Sequence, residues 1–342
     1  MRLYPQIPKG VAFTRLAIAK AVSNGSMEAA ATYAENRWGN KDFSSIVTKA
    51  AVDAGSTEPS KWGSQLTDYN NAAREFFELV RAETIMGRLN GLRRIPLKTQ
   101  MVSQMSGASA RWVGEGRASP LSSSVYAADQ MDAHKIIAEQ VITSELLLRS
   151  DPEAEILIRD DLVRVIAEQI DRDFIDPANA GVTGEKPASI TYGVTAQPSS
   201  GVYPDHSKAD AIVLFDGFAG DLERSYWAIN PSTAVTLNSE TNVNLGARGG
   251  EYFGSPAITS KAVPKGLLAF IDPTGVAVGE GLGTVDTSTK STIQMADDPT
   301  DPTAATVQVS LWQSNLVAIQ ATREMTWKVA RPCVSLIAGV GT

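Results

Sequence analysis

Cysteine and histidine are almost missing from this chain. One cysteine, Cys333, and two histidines stand among 342 residues. A single thiol forms no internal disulfide and suits a reducing compartment. With Arg331-Pro332 before it and Val334-Ser335-Leu336 after it, Cys333 reads as a small buried apolar residue. His134 lies in a strand-like stretch and His206 in a loop beside Asp205, far apart, and neither has His-x-x-His or Glu-x-x-His spacing nearby. Metal and nucleophile chemistry therefore have little to work with. A Gly-x-Ser-x-Gly elbow is also missing, which disfavours a serine hydrolase of that type. No run approaches the ~18–20 uncharged apolar residues of a membrane span. The opening Met1-Arg2-Leu3-Tyr4-Pro5 lacks the apolar core of a signal peptide, so nothing marks the chain for export.

Two weak chemical motifs have blander readings. Gly279-Glu280-Gly281-Leu282-Gly283 has neither the Lys-Ser/Thr nor the strand-to-helix setting of a phosphate loop, and is expected to be a flexible turn. Asp297, Asp298 and Asp301 could hold calcium by their oxygens. Their segment, 296–302, contains two prolines and no ordered ligand repeat, so it reads as an acidic surface loop. No pair of carboxylates stands out for acid–base catalysis. No catalytic residue, cofactor or metal site is expected.

Composition is ordinary for a globular protein, 43% hydrophobic and 20% charged, with length for about two domains. The net charge of −7 is unevenly spread. Up to Lys98 there are 14 Lys+Arg against 9 Asp+Glu; the remainder has 17 against 29. A protein gripping nucleic acid by counterion release is basic on one face and usually overall. A weakly basic arm on an acidic body does not fit that pattern; it suits a container whose wall must not bind phosphate tightly, and charge alone suits many acidic enzymes as well.

Residues 1–60 are rich in alanine and small polar residues. Short helical patterns cover Phe13–Val22 and roughly Ser26–Arg37, but neither carries a strong apolar stripe, so an extended, mobile arm is expected. A better helix spans about Asp68–Leu89, with Phe76, Phe77, Val80, Thr84 and Ile85 at helical spacing and Asn90-Gly91 as its stop. From Leu97 to about Val125 the chain is short of bulky apolar residues and carries turn clusters at Ser106-Gly107 and Gly114-Glu115-Gly116. A strand pair with so little to bury reads as a hairpin projecting from the body. A return strand over Ala128–Ile142 precedes the strongest helix, Ser150–Asp176. Ser150 and Glu153 form a capping box there, and Ile158, Leu162, Val165/Ile166, Ile170 and Phe174 mark one face. Helix 207–221, strand 225–229 and the turn Asn230-Pro231-Ser232-Thr233 follow. Short strands and turns then lead to an alternating strand over Asn315–Ala330.

Four fragments in this order resemble the major capsid protein of tailed bacteriophages, the Hong Kong-type coat fold. Trp112-Val113-Gly114-Glu115-Gly116 is similar to that family's extended-loop tip. Ser150–Asp176 resembles the spine helix of its peripheral domain. Trp227-Ala228-Ile229-Asn230-Pro231-Ser232-Thr233, with Gly254-Ser255-Pro256 and Val263-Pro264-Lys265-Gly266, resembles its axial domain. Asn315–Pro332 is similar to the closing peripheral strand. The N-terminal segment is similar to the junction region of chains in which a prohead protease is fused ahead of the coat protein.

The resemblance implies an α+β fold with an N-terminal arm (1–66), a helix leading into the body (67–96) and an extended loop (97–127). A peripheral domain (128–177 and 306–342) and an axial domain (178–305) complete it. It implies a structural, non-enzymatic protein that assembles with itself as hexamers and pentamers into an icosahedral shell around double-stranded DNA. Portal, scaffold and prohead protease would be assembly partners, a decoration protein an optional one, and no membrane is involved. The shell would be assembled in the bacterial host cytoplasm and found in the virion. Arg111, Trp112, Glu115 and Arg117 are the candidate intersubunit contacts, with Glu115 as a salt-bridge partner that selects orientation. Some family members crosslink their shells between an extended-loop lysine and an asparagine, assisted by a glutamate. Here Asn315 falls at the acceptor position, Thr322 replaces the carboxylate, and no lysine occurs between Lys98 and Lys135. An encapsulin-type nanocompartment shell and an acidic α+β hydrolase are the alternatives.

Overall fold

In the computed structural model the described residues are 11–23, 27–38, 64–106, 109–119, 121–123, 125–149, 152–201, 206–239, 242–294 and 308–340. In chain order the helices are α1 (Val11–Val22), α2 (Met27–Trp38), α3 (Ser64–Glu83), α4 (Ile85–Arg88), α5 (Ser144–Arg149), α6 (Pro152–Ile175), α7 (Ser207–Asp216) and α8 (Pro231–Leu237). The strands of the first half are β1 (Arg93–Arg94), β2 (Gln100–Ser106), β3 (Val125–Gln130), β4 (His134–Thr143) and β5 (Ala196–Pro198). Those of the second half are β6 (Tyr226–Ile229), β7 (Leu245–Gly246), β8 (Gly249–Tyr252), β9 (Ser255–Thr259), β10 (Leu267–Ile271), β11 (Val276–Ser288), β12 (Thr292–Gln294), β13 (Gln308–Ser310), β14 (Leu316–Val329) and β15 (Val334–Ala338). The chain divides into two units. One holds 1–83, 136–167 and 282–323; the other holds 84–135, 168–281 and 324–342.

In the first unit α1 packs on α2, α3 and α5. Its contact face is built from small residues, with Ala17, Ile18, Ala19 and Ala21 all buried, and Ala30 and Ala34 of α2 are buried too. Alanine lets helix backbones approach closely, which a search for large apolar residues overlooks. The expected extended arm is therefore helical over 11–22 and 27–38. Ser26, the expected cap of the second helix, lies outside the described residues. Phe76 and Phe77 meet edge to face at 5.1 Å, and the Arg323 guanidinium sits 5.1 Å from the Phe77 ring centre.

Gly279–Gly283 is not a turn. All five residues lie inside β11, and the three glycines share one face by strand alternation. They are glycines for steric reasons. A Cβ on Gly283 would fall inside the Phe77 ring, within the first unit. In the second unit, a Cβ on Gly279 would meet Leu97 at 2.8 Å, and one on Gly281 would meet the Glu324 carbonyl at 3.2 Å. β1, β11, β14 and β4 are neighbours in that order in a four-stranded sheet.

Helix 68–89 ends earlier than its periodicity suggests. α3 stops at Glu83, and Thr84, expected within the apolar stripe, instead caps the short α4 by accepting from Gly87 N at 3.0 Å. The break is held from far along the chain. Ile85 N donates to Asp171 Oδ1 at 2.7 Å, and Ser260 Oγ donates to Asp171 Oδ2 at 2.8 Å. Asp171 is buried on α6, so its two partners spare it an unpaired burial.

α6 has 24 residues and is about 36 Å long. Ile158, Leu162, Ile166, Ile170 and Phe174 form its buried stripe, while Val165 is exposed. Its capping box at Ser150 lies outside the described residues, as does the acidic segment 296–302.

The second unit is organised by a seven-stranded sheet in the order β5-β15-β10-β6-β9-β8-β7. β10 and β6 are central and read as continuous apolar runs, Leu-Leu-Ala-Phe-Ile and Tyr-Trp-Ala-Ile, as strands covered on both faces do. Trp227 is fully buried, with Phe270 at 4.6 Å and Tyr252 at 5.1 Å between ring centres. Its indole N–H donates to the Tyr252 carbonyl at 3.0 Å. Asn230 caps α8 by accepting from Ser232 N, and its amide donates to the Val263 carbonyl at 2.7 Å. The helix expected over 207–221 stops at Asp216, and a 3-10 turn at Leu222–Arg224 precedes β6.

Asp272 closes the end of β10. Its carboxylate accepts from Asp221 N at 3.0 Å, Thr274 N at 2.9 Å, Thr274 Oγ1 at 2.7 Å and Arg331 at 2.8 Å. Burial alone would raise its pKa, but these donors together hold it below the ordinary carboxylate value. The folded state then binds this proton less readily than the unfolded one. The stabilisation is complete above the unfolded pKa of about 4 and is lost as pH falls through the lower folded value. Asp272→Asn is expected to cost about 3 kcal/mol at pH 7 and to flatten that acid dependence. Urea unfolding followed at pH 7 and pH 3 checks it; parallel losses in both proteins would contradict it.

Candidate intersubunit surface

The hairpin exists, and its two strands differ from its tip. β2 and β3 pair antiparallel from Gln100↔Gln130 to Gln104↔Tyr126, then a bulge shifts the register to Ser106↔Val125. Met101 and Ser103 point inward, while Val102 and Tyr126 are exposed. Met101 clusters with Met131 and Ala277, anchoring the hairpin base. Lys98 N donates to the Met131 carbonyl at 2.7 Å, and Met131 N to the Thr99 carbonyl at 3.0 Å. This exchange interrupts the expected return strand, which is two strands, β3 and β4, separated by residues 131–133. Lys328 Nζ pairs with Asp129 at 2.7 Å, and that hydrogen bond is the main reason the Asp129 carboxyl lies below its usual range.

Arg111, Trp112, Glu115 and Arg117 all lie in the tip and all are exposed. Gly116 at φ +72° and the hydrogen bond from Arg117 N to the Gly114 carbonyl, 3.2 Å, make the turn between them. Among the described residues no ion pair joins Glu115 to Arg111 or Arg117. Trp112 is wholly exposed, at 106% of its reference area, and so is Leu121, at 101%. Leu121 was not among the expected contacts; an isolated leucine within Ser- and Gly-rich chain was its only signal. A tryptophan and a leucine left bare on one short tip differ from scattered surface apolar residues.

Beside the hairpin base lies a cleft of about 410 Å³. Val182, Tyr192 and Val329 form part of its wall, and Asp129, Asp132 and His134 its edge. His134 Nδ1 lies 3.1 Å from Thr326 Oγ1. Burial is the first cause that keeps the imidazole pKa below normal, nearby Lys328 adds to it, and Asp132 opposes.

The groups considered for other chemistry are dispersed. His206 is exposed at the start of α7. Cys333 is buried, and burial pushes its thiol up to about 12. Among the described residues no group of three or more His, Cys, Asp or Glu is placed to hold a metal, and no helix is long and apolar enough to cross a membrane. Asn315 sits at φ +51° before β14, its carbonyl accepting from Ser144 N at 3.0 Å, and Thr322 is buried. With no lysine in residues 99–134, no covalent crosslinking is expected, and any particles the chain forms should run as single monomer bands in denaturing gels. A ladder of high-mass bands from mature particles would refute this.

The mixed helix-and-strand structure has the Hong Kong-type coat fold, as its alignment with solved phage capsid structures shows. The structure aligns with one from Mycobacterium phage Ogopogo at a TM-score of 0.52, with 16% identity over 75% of this chain and 91% of that one. It aligns with the capsid of a native GTA particle at 0.50, with 13% identity over 72% and 88%. Residues 69–292 match the model of the phage capsid family, and the chain belongs to that family. It is 35% identical to the capsid polyprotein of Pseudomonas phage PAJU2 over 98% of its own length. The chain spans about half of that relative, 54%.

Proposed function

We propose that this chain is the major capsid protein of a tailed phage or prophage. It assembles as hexamers and pentamers into an icosahedral shell enclosing double-stranded DNA, without a catalytic role. The observation that carries the reading is the hairpin tip of a phage-capsid-family chain, whose largest apolar side chains, Trp112 and Leu121, are wholly exposed. A two-stranded ribbon is marginal alone and leaves both edges open for pairing. In this reading 1–66 is the N-terminal arm, 67–96 leads into the body, and 97–127 is the extended loop. Residues 128–177 and 306–342 form the peripheral domain, and 178–305 the axial domain. Arg111, Trp112, Glu115 and Arg117 contact neighbouring copies. Portal, scaffold and prohead protease act during assembly in the host cytoplasm, and a decoration protein is an optional addition.

Negative-stain microscopy with light scattering on the expressed protein tests the reading. Rings or shells tens of nanometres across support it, and DNA-filled particles from infected or induced cells support the cargo. Particles filled with a copurifying enzyme would instead indicate a nanocompartment. A compact monomer that never assembles, even with a scaffold or protease segment supplied, would overturn it.

A further inference from the structure

We propose that Asn90 is a site of spontaneous covalent modification, where the Gly91 backbone nitrogen attacks the Asn90 side chain, turns its amide into a carboxylate and loosens the chain just ahead of β1. The inference goes beyond shell formation and needs no partner.

The step uses groups of the chain itself and water. The Gly91 nitrogen bonds to Asn90 Cγ, and the side-chain nitrogen leaves as ammonia, carrying the proton that the Gly91 nitrogen gives up. Water then opens the resulting cyclic imide at either carbonyl. One opening leaves an aspartyl residue at position 90. The other leaves an isoaspartyl linkage, in which the main chain runs through the former side chain and is longer by one methylene. Nothing is oxidised or reduced; this is the route by which asparagine is thermally labile.

The reaction needs an open carboxamide, a following N–H that donates to nothing, and a following residue that lets the ring close. Asn90 and Gly91 meet all of these. Both are exposed, in the turn between α4 and β1. Among the described residues neither the Asn90 carboxamide nor the Gly91 N–H has a hydrogen-bond partner. Gly91 sits at φ +105°, and with no Cβ its nitrogen can swing toward Cγ without a steric penalty. Even an added Cβ there would meet nothing nearer than 3.7 Å, so the turn has room to move.

The other described asparagines each fail a condition. The Asn179 carboxamide donates to the Asp173 and Pro187 carbonyls and accepts from Gly181 N. That of Asn238 donates to the Leu245 carbonyl. Asn230 precedes a proline, which has no N–H. After Asn244, Leu245 N donates to the Asn242 carbonyl at 3.2 Å; after Asn315, Leu316 N donates to the Leu311 carbonyl at 2.9 Å. Asn242 is buried, and Asn36, Asn70 and Asn71 lie inside helices, where the backbone N–H groups are already bonded. Asn24-Gly25 repeats the dipeptide outside the described residues.

The position matters because the chain is fixed on both sides of it. Leu89 is buried. Arg93 and Arg94 pair in parallel with Ala277 and Val278 of β11, and Arg94 also meets Glu280 at 3.2 Å. One extra methylene between Leu89 and this two-residue strand pushes one of them out of place.

The test incubates the purified full chain, folded and in denaturant, at neutral and mildly alkaline pH, and maps its tryptic peptides by mass spectrometry. In the folded chain, peptide 89–93 is expected to show the amide-to-acid mass shift well ahead of peptides holding Asn179, Asn238, Asn244 or Asn315, and faster at the higher pH. Enzymatic methylation should label its isoaspartyl form. An unshifted 89–93 peptide in the folded chain, with conversion in the denatured one, would overturn the site, as would equally fast conversion at Asn244 or Asn315. Asn90→Gln, whose longer side chain does not close the same ring, should abolish the shift and keep the fold. Trypsin acting on the native protein reads the consequence. Incubated wild type should be cut at Arg93 or Arg94 several times faster than fresh protein, and incubated Asn90→Gln no faster. Equal cutting of the two incubated proteins would overturn the loosening of β1.

Discussion

Trp227→Ala is expected to destabilise the second unit by about 3–5 kcal/mol, the cost of truncating a fully buried tryptophan in a core that cannot collapse around the void. The indole lies at the centre of an aromatic cluster. Phe270, Tyr252 and Phe215 surround it with ring centres 4.6, 5.1 and 5.9 Å away. Removing it also takes away the indole N–H that the Tyr252 carbonyl accepts. β6 lies between β10 and β9, so the cavity would open on the middle of the sheet rather than at an edge that can shift inward. Trp227→Phe, which keeps ring volume but loses the N–H, should cost less, about 1–3 kcal/mol. Near-UV circular dichroism during urea unfolding measures both. A Trp227→Ala protein within about 1 kcal/mol of wild type would show that this cluster is not the core of the unit.

The second large effect concerns assembly instead of folding. Trp112→Ala with Glu115→Ala is expected to lower shell yield by about tenfold or more, because buried aromatic anchors dominate interface energies. The monomer should keep its unfolding midpoint to within about 0.5 kcal/mol, since exposed substitutions away from caps and strained positions change stability little. The contrast follows from exposure. Trp112 is wholly exposed, and among the described residues Glu115 has no ion pair, so their replacement removes little from the folded monomer. Quantitative microscopy and light scattering measure yield, and urea unfolding measures the monomer. Unchanged yield would remove these residues from the interface; lost yield with lost stability would show a folding defect.

The parts legible from sequence were those whose signal is local. The apolar stripe of α6, the Asn230-Pro231 start of α8 and the polar, glycine-punctuated hairpin tip each lie within a few turns or strand residues of chain. The alternation of β14 is visible in the same way, although its end, Val329, turns out exposed. What escaped was set by partners distant in sequence. Gly-Glu-Gly-Leu-Gly looked like a turn because glycine is common in turns. It is a strand because Leu97 and Phe77 occupy the space that side chains would fill. The break at Thr84 could not be seen in a continuous helical pattern, since the acceptor for Ile85 N is Asp171, 86 residues away. The first two helices were visible as short patterns, but their packing face was not, because it is built largely from alanine. At the candidate surface Leu121 went unnoticed while Trp112 did not, because a lone leucine carries no local pattern.

By itself the sequence determined that one cysteine and two widely spaced histidines are all the chain holds of those types, and that it carries one long amphipathic helix and one coreless hairpin. Those properties depend on residue type and short-range spacing, which are present in the unfolded chain. Only the tertiary structure decided which glycines serve close approach, where the long helical pattern breaks, and that an open cleft lies at the hairpin base while bare apolar side chains lie at its tip. Each of these depends on atoms brought together from remote positions, where steric exclusion and the cost of burying an unpaired polar group take effect only after the chain has folded.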